Sequence, residues 1–404
     1  MTTDGRGADL PLAGIRVLEL GSLIAGPFCG QMFADFGADV IKCELPRIGD
    51  PMREWGREKV GGASLWWPIV ARGKKSVTVN LRTREGQDLV RRMVEQADVV
   101  IENFRPGTME RWNLGYEELS AVNPGLVMVR VSGYGQDGPY SGRAGFGAIG
   151  EAMGGLRYVN GDPRTPPSRT GISIGDSLAA LFATIGALVA LRARDVTGRG
   201  QVVDSAIYES VLGLMESLIP EYVFTNHIRE RTGSILPNVA PSNIYPTADG
   251  KLVLIAANQN SVFSRLCTAM NEPDLASDSR FATHSARGAN QAELDRIIGA
   301  WTSHLDAAPL MKLLHDQAVP TGEIYRAPEM LDDEHFAARE AIANVDHPEL
   351  GKFPMQNVVP KLSSTPGRIR WVGPSLGEHT DEVLRDLLQM SGEEISALRS
   401  SGIV

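Results

Sequence analysis

The segment best suited to carry chemistry is Gly175-Asp176-Ser177, which stands directly before the apolar run 178–191. That run is rich in Ala and Leu and contains no Pro, which is typical of a buried helix. Asp176 therefore lies where a loop enters a helix. An Asp there can cap the helix, the role that residue statistics alone favour. The same carboxylate could instead be a nucleophile that forms a covalent acyl intermediate. Asp176 by itself leaves both interpretations open.

Strands and helices alternate in front of this segment, which indicates an α/β region. The first two predicted strands, with a turn at 21–27 and a helix between them, form a β-turn-α-β unit typical of a parallel, doubly wound sheet. The turn lacks GxGxxG and so does not indicate a dinucleotide site. Ligands of such sheets lie at the carboxyl ends of the strands. The predicted strands are residues 14–20, 37–43, 76–80, 98–102 and 126–131.

A second unit is predicted to begin near Asn243. Residues 225–242 are irregular and typical of a linker, and residues 251–257 form a predicted strand that ends in Asn258-Gln259. Helices follow to about residue 317, and from Pro320 the chain is irregular again before a polar helix near its end.

Composition and charge narrow the classes of function. The net charge of −9 argues against a general nucleic-acid binder. The apolar run 178–191 is shorter than the roughly 18 residues that a membrane span needs. Three Cys without a CxxC motif indicate reduced thiols and a cytoplasmic protein, and the seven His show no metal-ligand spacing. We therefore expect no metal, no nucleic acid and no membrane partner.

A series of short stretches, taken in order, matches one known family across nearly the whole chain. They are Leu18-Glu19-Leu20, Ala25-Gly26-Pro27, residues 36–42, Gly49-Asp50, Lys74-Lys75-Ser76, residues 102–107, Gly133-Tyr134-Gly135, Arg143-Ala144-Gly145, Gly175-Asp176 and residues 197–201. Together they resemble the family III CoA-transferases, the formyl-CoA transferase and carnitine CoA-transferase group. No single stretch is decisive, but the ordered set is specific.

The resemblance implies that Asp176 is the nucleophile. Its carboxylate would attack an acyl-CoA thioester to give a mixed anhydride and CoA thiolate, and the thiolate would return to give an aspartyl-CoA thioester. The incoming acid would repeat the exchange. CoA is then a co-substrate, and neither a metal nor a further cofactor is required. The implied CoA-binding residues are Ser22, Leu23, Ala25, Arg82, Asn103, Phe104 and Arg111.

The departures from formyl-CoA transferase concern the acyl pocket. That enzyme has Gln where this chain has Ile24, and a Gly-rich loop where this chain has residues 256–259, which argues against formyl-CoA and oxalate as substrates. The stretch 49–56 resembles the succinyl-CoA:dicarboxylate branch. We therefore expect succinyl-CoA as donor and a dicarboxylate as acceptor, whose distal carboxylate Arg53 or Arg72 could bind. The expected acyl and acceptor pocket comprises Ile24, Arg53, Trp55, Arg72, Tyr134, Asn258 and Gln259.

The resemblance also implies an architecture. A Rossmann-like large domain would be built from both chain ends, with a smaller central α/β domain, and two identical chains would interlock as a homodimer. The implied boundaries are 1–224 for the first part of the large domain, 225–242 for a linker, 243–320 for the small domain, and 321–404 for the return linker and the rest of the large domain.

Three alternatives remain. The related α-methylacyl-CoA racemases need a His before the matching Asp, but here Phe146-Gly147 stands there and the first 226 residues contain no His. Tyr134 or Glu151 would be awkward substitutes for that acid/base group. The chain could also be the catalytic subunit of a mixed-subunit CoA-transferase. A plain acyl-CoA-binding module would leave the Gly175-Asp176 loop unexplained.

Overall fold

The computed structural model describes residues 9–404, which separate into two compact units. The first unit comprises the described residues up to Leu156 together with Thr170–Ser217 and Ala338–Val404. The second comprises Arg157–Arg169 and Leu218–Ala337. The sequence pattern places residues 157–169 in the first domain. In the structure they belong to the second unit, and no sequence signal predicts this.

The first unit is organised around a parallel sheet of six strands, in the order β5-β2-β1-β6-β7-β8. Every neighbouring pair in it is parallel. The expected α/β fold with a parallel central sheet is thus confirmed. In chain order the strands of residues 9–404 are β1 Arg16–Glu19, β2 Asp39–Glu44, β3 Lys59–Val60, β4 Ala63–Ser64, β5 Lys74–Thr78, β6 Val99–Glu102, β7 Val127–Ser132, β8 Val202–Ala206, β9 Ser242–Pro246, β10 Leu252–Ala256, β11 Thr321–Glu323, β12 Ile342–His347 and β13 Gly351–Gln356.

Helices connect and cover these strands. In chain order they are α1 Ala25–Asp35, α2 Trp67–Val70, α3 Arg84–Val94, α4 Thr108–Arg111, α5 Tyr116–Val122, α6 Gly147–Met153, α7 Leu156–Val159, α8 Ile174–Thr197, α9 Ile207–Leu212, α10 Leu218–Thr225, α11 Asn260–Ala269, α12 His284–Ala289, α13 Gln291–Thr302, α14 Ala307–Asp316, α15 Ala327–Asp332, α16 Glu334–Ala338, α17 Thr380–Leu388 and α18 Gly392–Ser400.

Two apolar clusters hold helices to the six-stranded sheet. One joins inward residues of the strands, such as Val17, Val99 and Val129, to α1 and to the alanine-rich face of α8. The other joins Leu18, Val100 and Met128 to α3, α17 and α18. Successive strand residues alternate between these two clusters, as the two-residue period of a strand requires. A sheet buried on both faces explains the uninterrupted apolar residues of its central strands, such as Val99-Val100-Ile101 of β6.

The second unit has its own core. Its sheet is antiparallel, in the order β11-β10-β9, and the helices α11, α13 and α14 pack on it around residues such as Tyr245, Phe263 and Leu294. Tyr245 donates a 2.5 Å hydrogen bond to Asp295, which satisfies its buried hydroxyl.

Helix α8 differs from its prediction in length. It begins at Ile174 and ends at Thr197, so Asp176 lies in its first turn and not in front of it. Among the described residues it is a helix long and apolar enough to cross a membrane by length and composition, which the shorter apolar run 178–191 did not indicate. Core helices of globular proteins pass the same test, and Ala179, Ala183 and Ala187 pack α8 into the core here.

Candidate active site

The loop 21–24 connects the carboxyl end of β1 to α1 and is held by side chains from two other elements. Asn103, just after β6, accepts a 2.8 Å hydrogen bond from the Ser22 N–H and donates one of 2.8 Å to the Ser22 carbonyl. Asp50 accepts a 3.2 Å hydrogen bond from the Leu23 N–H. A side chain on Gly21 would meet Asn103 Oδ1 at 2.6 Å, so the close approach of Asn103 requires glycine there.

A cavity of about 230 Å³ opens beside this loop at the carboxyl end of the sheet. Three predicted CoA-binding residues, Ser22, Arg82 and Phe104, are in its lining. The Phe104 ring packs edge-on against Trp112, with 5.1 Å between ring centroids, which forms an aromatic wall. The exposed Arg82 and the aromatic wall suit a phosphorylated ligand that also has a flat ring.

The remaining predicted CoA-binding residues lie around this cavity without being in its lining. Ala25 is the first residue of α1 and is buried. Leu23 precedes it, and Asn103 holds Ser22 as described. Arg111, at the end of α4, is exposed and donates a 2.8 Å hydrogen bond to Thr108.

Asp176 lies at the amino-terminal turn of α8, against the first residue of α6. A side chain on Gly147 would lie 2.2 Å from Asp176 Oδ2, so the carboxylate fills the space that a Cβ would take. The preceding Gly175 N–H donates a 3.3 Å hydrogen bond to Oε1 of Glu151, a buried residue of α6. A helix amino terminus favours negative charge, so the first turn of α8 is a suitable place for a carboxylate.

Tyr134 belongs to the same neighbourhood through the loop that joins β7 to α6. The backbones of Gly133 and Gly145 touch, since a Cβ on either would lie within 2.9 Å of the other glycine's Cα. A Cβ on Gly145 would also lie 3.3 Å from the Tyr134 ring. The loop thus begins with Tyr134 and returns to Gly147, against Asp176.

Arg53 and Arg72 each have a carboxylate partner within the protein. Arg72 is 3% exposed and pairs in bidentate fashion with Asp35, at 2.8 and 2.6 Å. Arg53 pairs in the same way with Glu44, at 2.8 and 2.7 Å, and its guanidinium stacks over Trp67. These contacts do not support either arginine as the ligand of an acceptor carboxylate and give both a structural role.

Ile24 and Trp55 are the remaining predicted pocket residues of the first unit. Ile24 packs with Leu23 against the small cluster of Met52 and Trp67. Trp55 is 43% exposed, and its ring lies edge-on to Trp66.

Asn258 and Gln259 belong to the second unit, between β10 and α11. The Asn258 carbonyl accepts a 2.7 Å hydrogen bond from the buried Arg287, which fixes the backbone of this turn.

Four buried charged residues that were not among the predicted site residues lie beneath the loop 21–24. Glu19 and Lys74 are 0% exposed, Lys42 is 1% exposed and Asp50 is 3% exposed. Burial alone would lower the pKa of Lys42, but the surrounding carboxylates of Glu19, Asp50 and Glu44 raise it, so the ammonium stays charged. The available signal was a charged residue within an apolar strand, as in Leu18-Glu19-Leu20 and Val40-Ile41-Lys42.

The thiols contribute little reactivity. Burial raises the pKa of Cys29 and of Cys43 to about 12, so both are protonated at neutral pH. Within residues 9–404, no group of three or more His, Cys, Asp or Glu has the arrangement of a metal site.

The family comes from comparison with known proteins. The sequence profile described as CoA-transferase family III matches residues 12–380. The chain belongs to CoA-transferase family III. It is a CoA-transferase, and the family assignment drawn from the short sequence stretches is confirmed.

Several relatives of this family match the chain over almost its full length. The succinyl-CoA–D-citramalate CoA-transferase of Chloroflexus aurantiacus is 60% identical over 98% of each chain. The beta subunit of the succinyl-CoA–L-malate CoA-transferase of the same organism is 42% identical and covers 99% of this chain and 100% of its own length. The crystal structure of a CAIB/BAIF family protein from Brucella suis has a TM-score of 0.84, with 34% identity over 94% of this chain and 99% of that one.

Proposed function

We propose that this CoA-transferase moves CoA from succinyl-CoA to a dicarboxylic acid, with citramalate as the first acceptor to test. The relative with 60% identity is named for succinyl-CoA and D-citramalate, and the L-malate relative is named for a second hydroxydicarboxylate. The observation that carries the proposed mechanism is the placement of the Asp176 carboxylate, in the first turn of α8 against the bare Gly147.

The proposed first half-reaction replaces one thioester by another. An Asp176 carboxylate oxygen attacks the thioester carbon of succinyl-CoA, and the C–S bond breaks to release CoA thiolate and leave an aspartyl–succinyl anhydride. The thiolate then attacks the aspartyl carbonyl carbon of this anhydride. The C–O bond breaks, succinate leaves as a carboxylate, and an aspartyl-CoA thioester remains. No proton is transferred in either step, so no separate acid/base group is required.

The second half-reaction runs through the same species with the acceptor. Its carboxylate attacks the aspartyl-CoA carbonyl and expels the thiolate, and the thiolate then attacks the acceptor's carbonyl in the new anhydride. The products are the acceptor's CoA thioester and free Asp176. Because one thioester is exchanged for another of nearly equal free energy, the cycle needs neither a metal nor ATP.

One set of residues would bind CoA in this cycle, and another lies near the reacting carboxylate. The cavity beside the loop 21–24, lined by Ser22, Arg82 and Phe104, would hold the nucleotide end of CoA. Gly147 borders the reacting carboxylate, and Tyr134 lies beside Gly145 in the loop that leads to Gly147. We keep Asn258 and Gln259 as proposed contacts of the acyl group.

A transfer assay tests the proposed activity. The purified chain is incubated with succinyl-CoA and one acid at a time, namely citramalate, malate, glutarate, oxalate or formate, and the thioesters are separated by chromatography. We expect a new CoA thioester with at least one of the first three acids and release of an equal amount of succinate. Transfer only to oxalate or formate would refute the dicarboxylate specificity. Deuterium uptake at the α-carbon of an acyl-CoA, with no transfer, would instead favour racemase activity.

We also propose that two identical chains associate, as the resemblance implied. One face of α8 exposes large apolar residues at helical spacing, and the opposite face packs its alanines into the core. Exposed patches of this kind mark association surfaces. The exposed residues are Leu181, Phe182, Ile185, Leu188, Val189 and Val196.

Light scattering on the purified chain measures this association. We expect twice the 43.6 kDa mass of one chain, with full activity in that species. A monomer mass together with activity only after addition of a second, different chain would contradict the homodimer. That outcome would favour a mixed pair, since the L-malate relatives are named as alpha and beta subunits. The cytoplasmic location stays a prediction.

A further inference from the structure

We propose that the buried charge cluster of Glu19, Lys42, Asp50 and Lys74 is a positioning device that fixes the loop 21–24 in the conformation that binds CoA. Its members hold backbone groups of this loop and of the first turn of α1, and Asn103 completes the arrangement from β6. This inference rests on the proposed assignment of the loop and its cavity to CoA. It adds residues that act on the ligand through the backbone of Gly21, Ser22 and Leu23 and not by direct contact.

Lys42 is the centre of the cluster. Its ammonium lies 2.9 Å from Glu19 Oε1, 2.8 Å from Asp50 Oδ2 and 2.9 Å from the Gly21 carbonyl oxygen. The ammonium donates hydrogen bonds to Glu19 and to the Gly21 carbonyl and forms an ion pair with Asp50. Two of these three partners are carboxylates of the cluster and the third belongs to the loop. Lys42, which the buried carboxylates hold in place, thereby fixes the position of the Gly21 carbonyl.

Asp50 connects the cluster to the next residues of the loop. Its Oδ1 accepts hydrogen bonds from the Leu23 N–H at 3.2 Å and the Met52 N–H at 2.9 Å, while Oδ2 faces Lys42. Leu23 has a φ of +67°, which is the left-handed region. A non-glycine residue there is strained and is kept only where its surroundings enforce it. The Asp50 carboxylate is one such constraint.

Glu19 and Lys74 extend the same arrangement under α1. Glu19 Oε2 pairs with the Lys74 ammonium at 2.6 Å, and this ammonium donates a 2.6 Å hydrogen bond to the Pro27 carbonyl in the first turn of α1. A Cβ on Gly30 would lie 2.0 Å from Glu19 Oε2, so α1 can approach the carboxylate only because glycine is there. These contacts fix the position of the amino end of α1 relative to the cluster.

Burying charged side chains costs desolvation free energy, so a contribution to stability does not by itself explain this cluster. Buried ion pairs often contribute no more to stability than well-packed apolar side chains of similar volume. Apolar side chains could not bind the Gly21 carbonyl, the Leu23 N–H or the Pro27 carbonyl. The backbone groups that the cluster satisfies are concentrated at the site where we place CoA.

Three variants test the inference in the full-length chain. Lys42→Met removes the central ammonium, and Asn103→Ala removes both hydrogen bonds to Ser22 while leaving every buried charge paired. The control, Arg194→Met, removes a cation that pairs with Asp98 at 2.8 Å near the carboxyl end of α8, away from the loop. Steady-state kinetics are measured with succinyl-CoA and the acceptor acid varied separately.

For Lys42→Met and Asn103→Ala we expect the KM for succinyl-CoA to rise at least about tenfold, while kcat and the acceptor's KM change by less than about threefold. We expect the nucleotide end of CoA to be bound equally in the ground state and the transition state, in which case a loosened loop raises KM and leaves kcat unchanged. In parallel, hydrogen exchange of a peptide covering residues 20–28 reports the loop directly. We expect faster exchange in both variants and wild-type exchange in Arg194→Met.

The outcomes separate this inference from the proposed function. Because Asn103 is itself an implied CoA-binding residue, the deciding readout for Asn103→Ala is hydrogen exchange of the loop without ligand. Wild-type exchange there would overturn the positioning role even if Lys42→Met failed to fold. Equal changes in Arg194→Met would also overturn it, because they would indicate a general loss of stability. A wild-type chain that shows neither transfer nor binding of CoA in calorimetry would refute the proposed function itself.

Discussion

Replacing Asp176 with alanine is expected to lower kcat for CoA transfer by at least about 10³-fold, because the substitution removes the proposed nucleophile and with it both covalent intermediates. Folding should change little, since Asp176 is only partly buried and alanine is a good helix former in the first turn of α8. The KM for succinyl-CoA is not interpretable in so slow a variant, so binding of CoA is measured by calorimetry. We expect the wild-type affinity.

The covalent step itself is detected by mass spectrometry. Wild-type protein is incubated with succinyl-CoA without acceptor and quenched with hydroxylamine or borohydride, and the modified peptide is sequenced. We expect modification at Asp176 in wild type and none in Asp176→Ala. The matched control is Asp195→Ala, which removes an exposed Asp from the other end of the same helix and should keep full activity and the Asp176 adduct.

Two results would contradict this assignment. An adduct on another carboxylate in wild type would move the nucleophile elsewhere. Retained transfer in Asp176→Ala would leave Asp176 with a structural role in the first turn of α8, since Ser173 and not Asp176 is the N-cap residue. Asp176→Asn helps to distinguish the two roles, because an amide nearly keeps the size of the carboxylate but is a poor nucleophile.

The sheet was predictable because its strands carry their own signal. Residues 99–101 and 126–129 are apolar without interruption, and each stretch is followed closely by a loop rich in Gly or polar residues, so the pattern located β6 and β7 closely. Helix ends carry a weaker signal, since Ile174-Gly175 could belong to either a loop or a helix. The start of α8 was therefore placed slightly too late, although Asp176 was identified as the residue at that end.

The partners of the buried charges could not be predicted in the same way. The sequence shows that Arg53 and Arg72 are cations, but only the folded chain brings Glu44 to the first and Asp35 to the second. Arg72 also donates to the carbonyl of Gln356, 284 residues away. Such pairings depend on tertiary geometry that no local pattern encodes. From the sequence, an arginine near the predicted site therefore looks available for an anionic substrate. The folded chain shows that each of these arginines already pairs with a carboxylate of the protein.

Replacing Gly147 with alanine is expected to lower kcat by about 10²-fold while the protein stays folded, because a displacement of about 1 Å at a reacting group can cost that much. The new Cβ would lie 2.2 Å from Asp176 Oδ2 and 2.7 Å from Asp176 Cγ. The obstructing atoms are the end of a side chain that can rotate, so the fold relieves the clash by turning the carboxylate away. Gly147 is not at positive φ, so alanine adds no backbone strain.

Thermal unfolding and transfer kinetics together measure this separation of stability from activity. We expect the midpoint of unfolding of Gly147→Ala to stay within a few degrees of wild type, since only one flexible side chain must move. The control is Gly142→Ala in the same loop, where no heavy atom lies within 4 Å of the new Cβ, and it should be fully active. Wild-type kcat in Gly147→Ala would show that the orientation of Asp176 against α6 is unimportant. A kcat lost in step with stability would show instead that Gly147 serves helix packing.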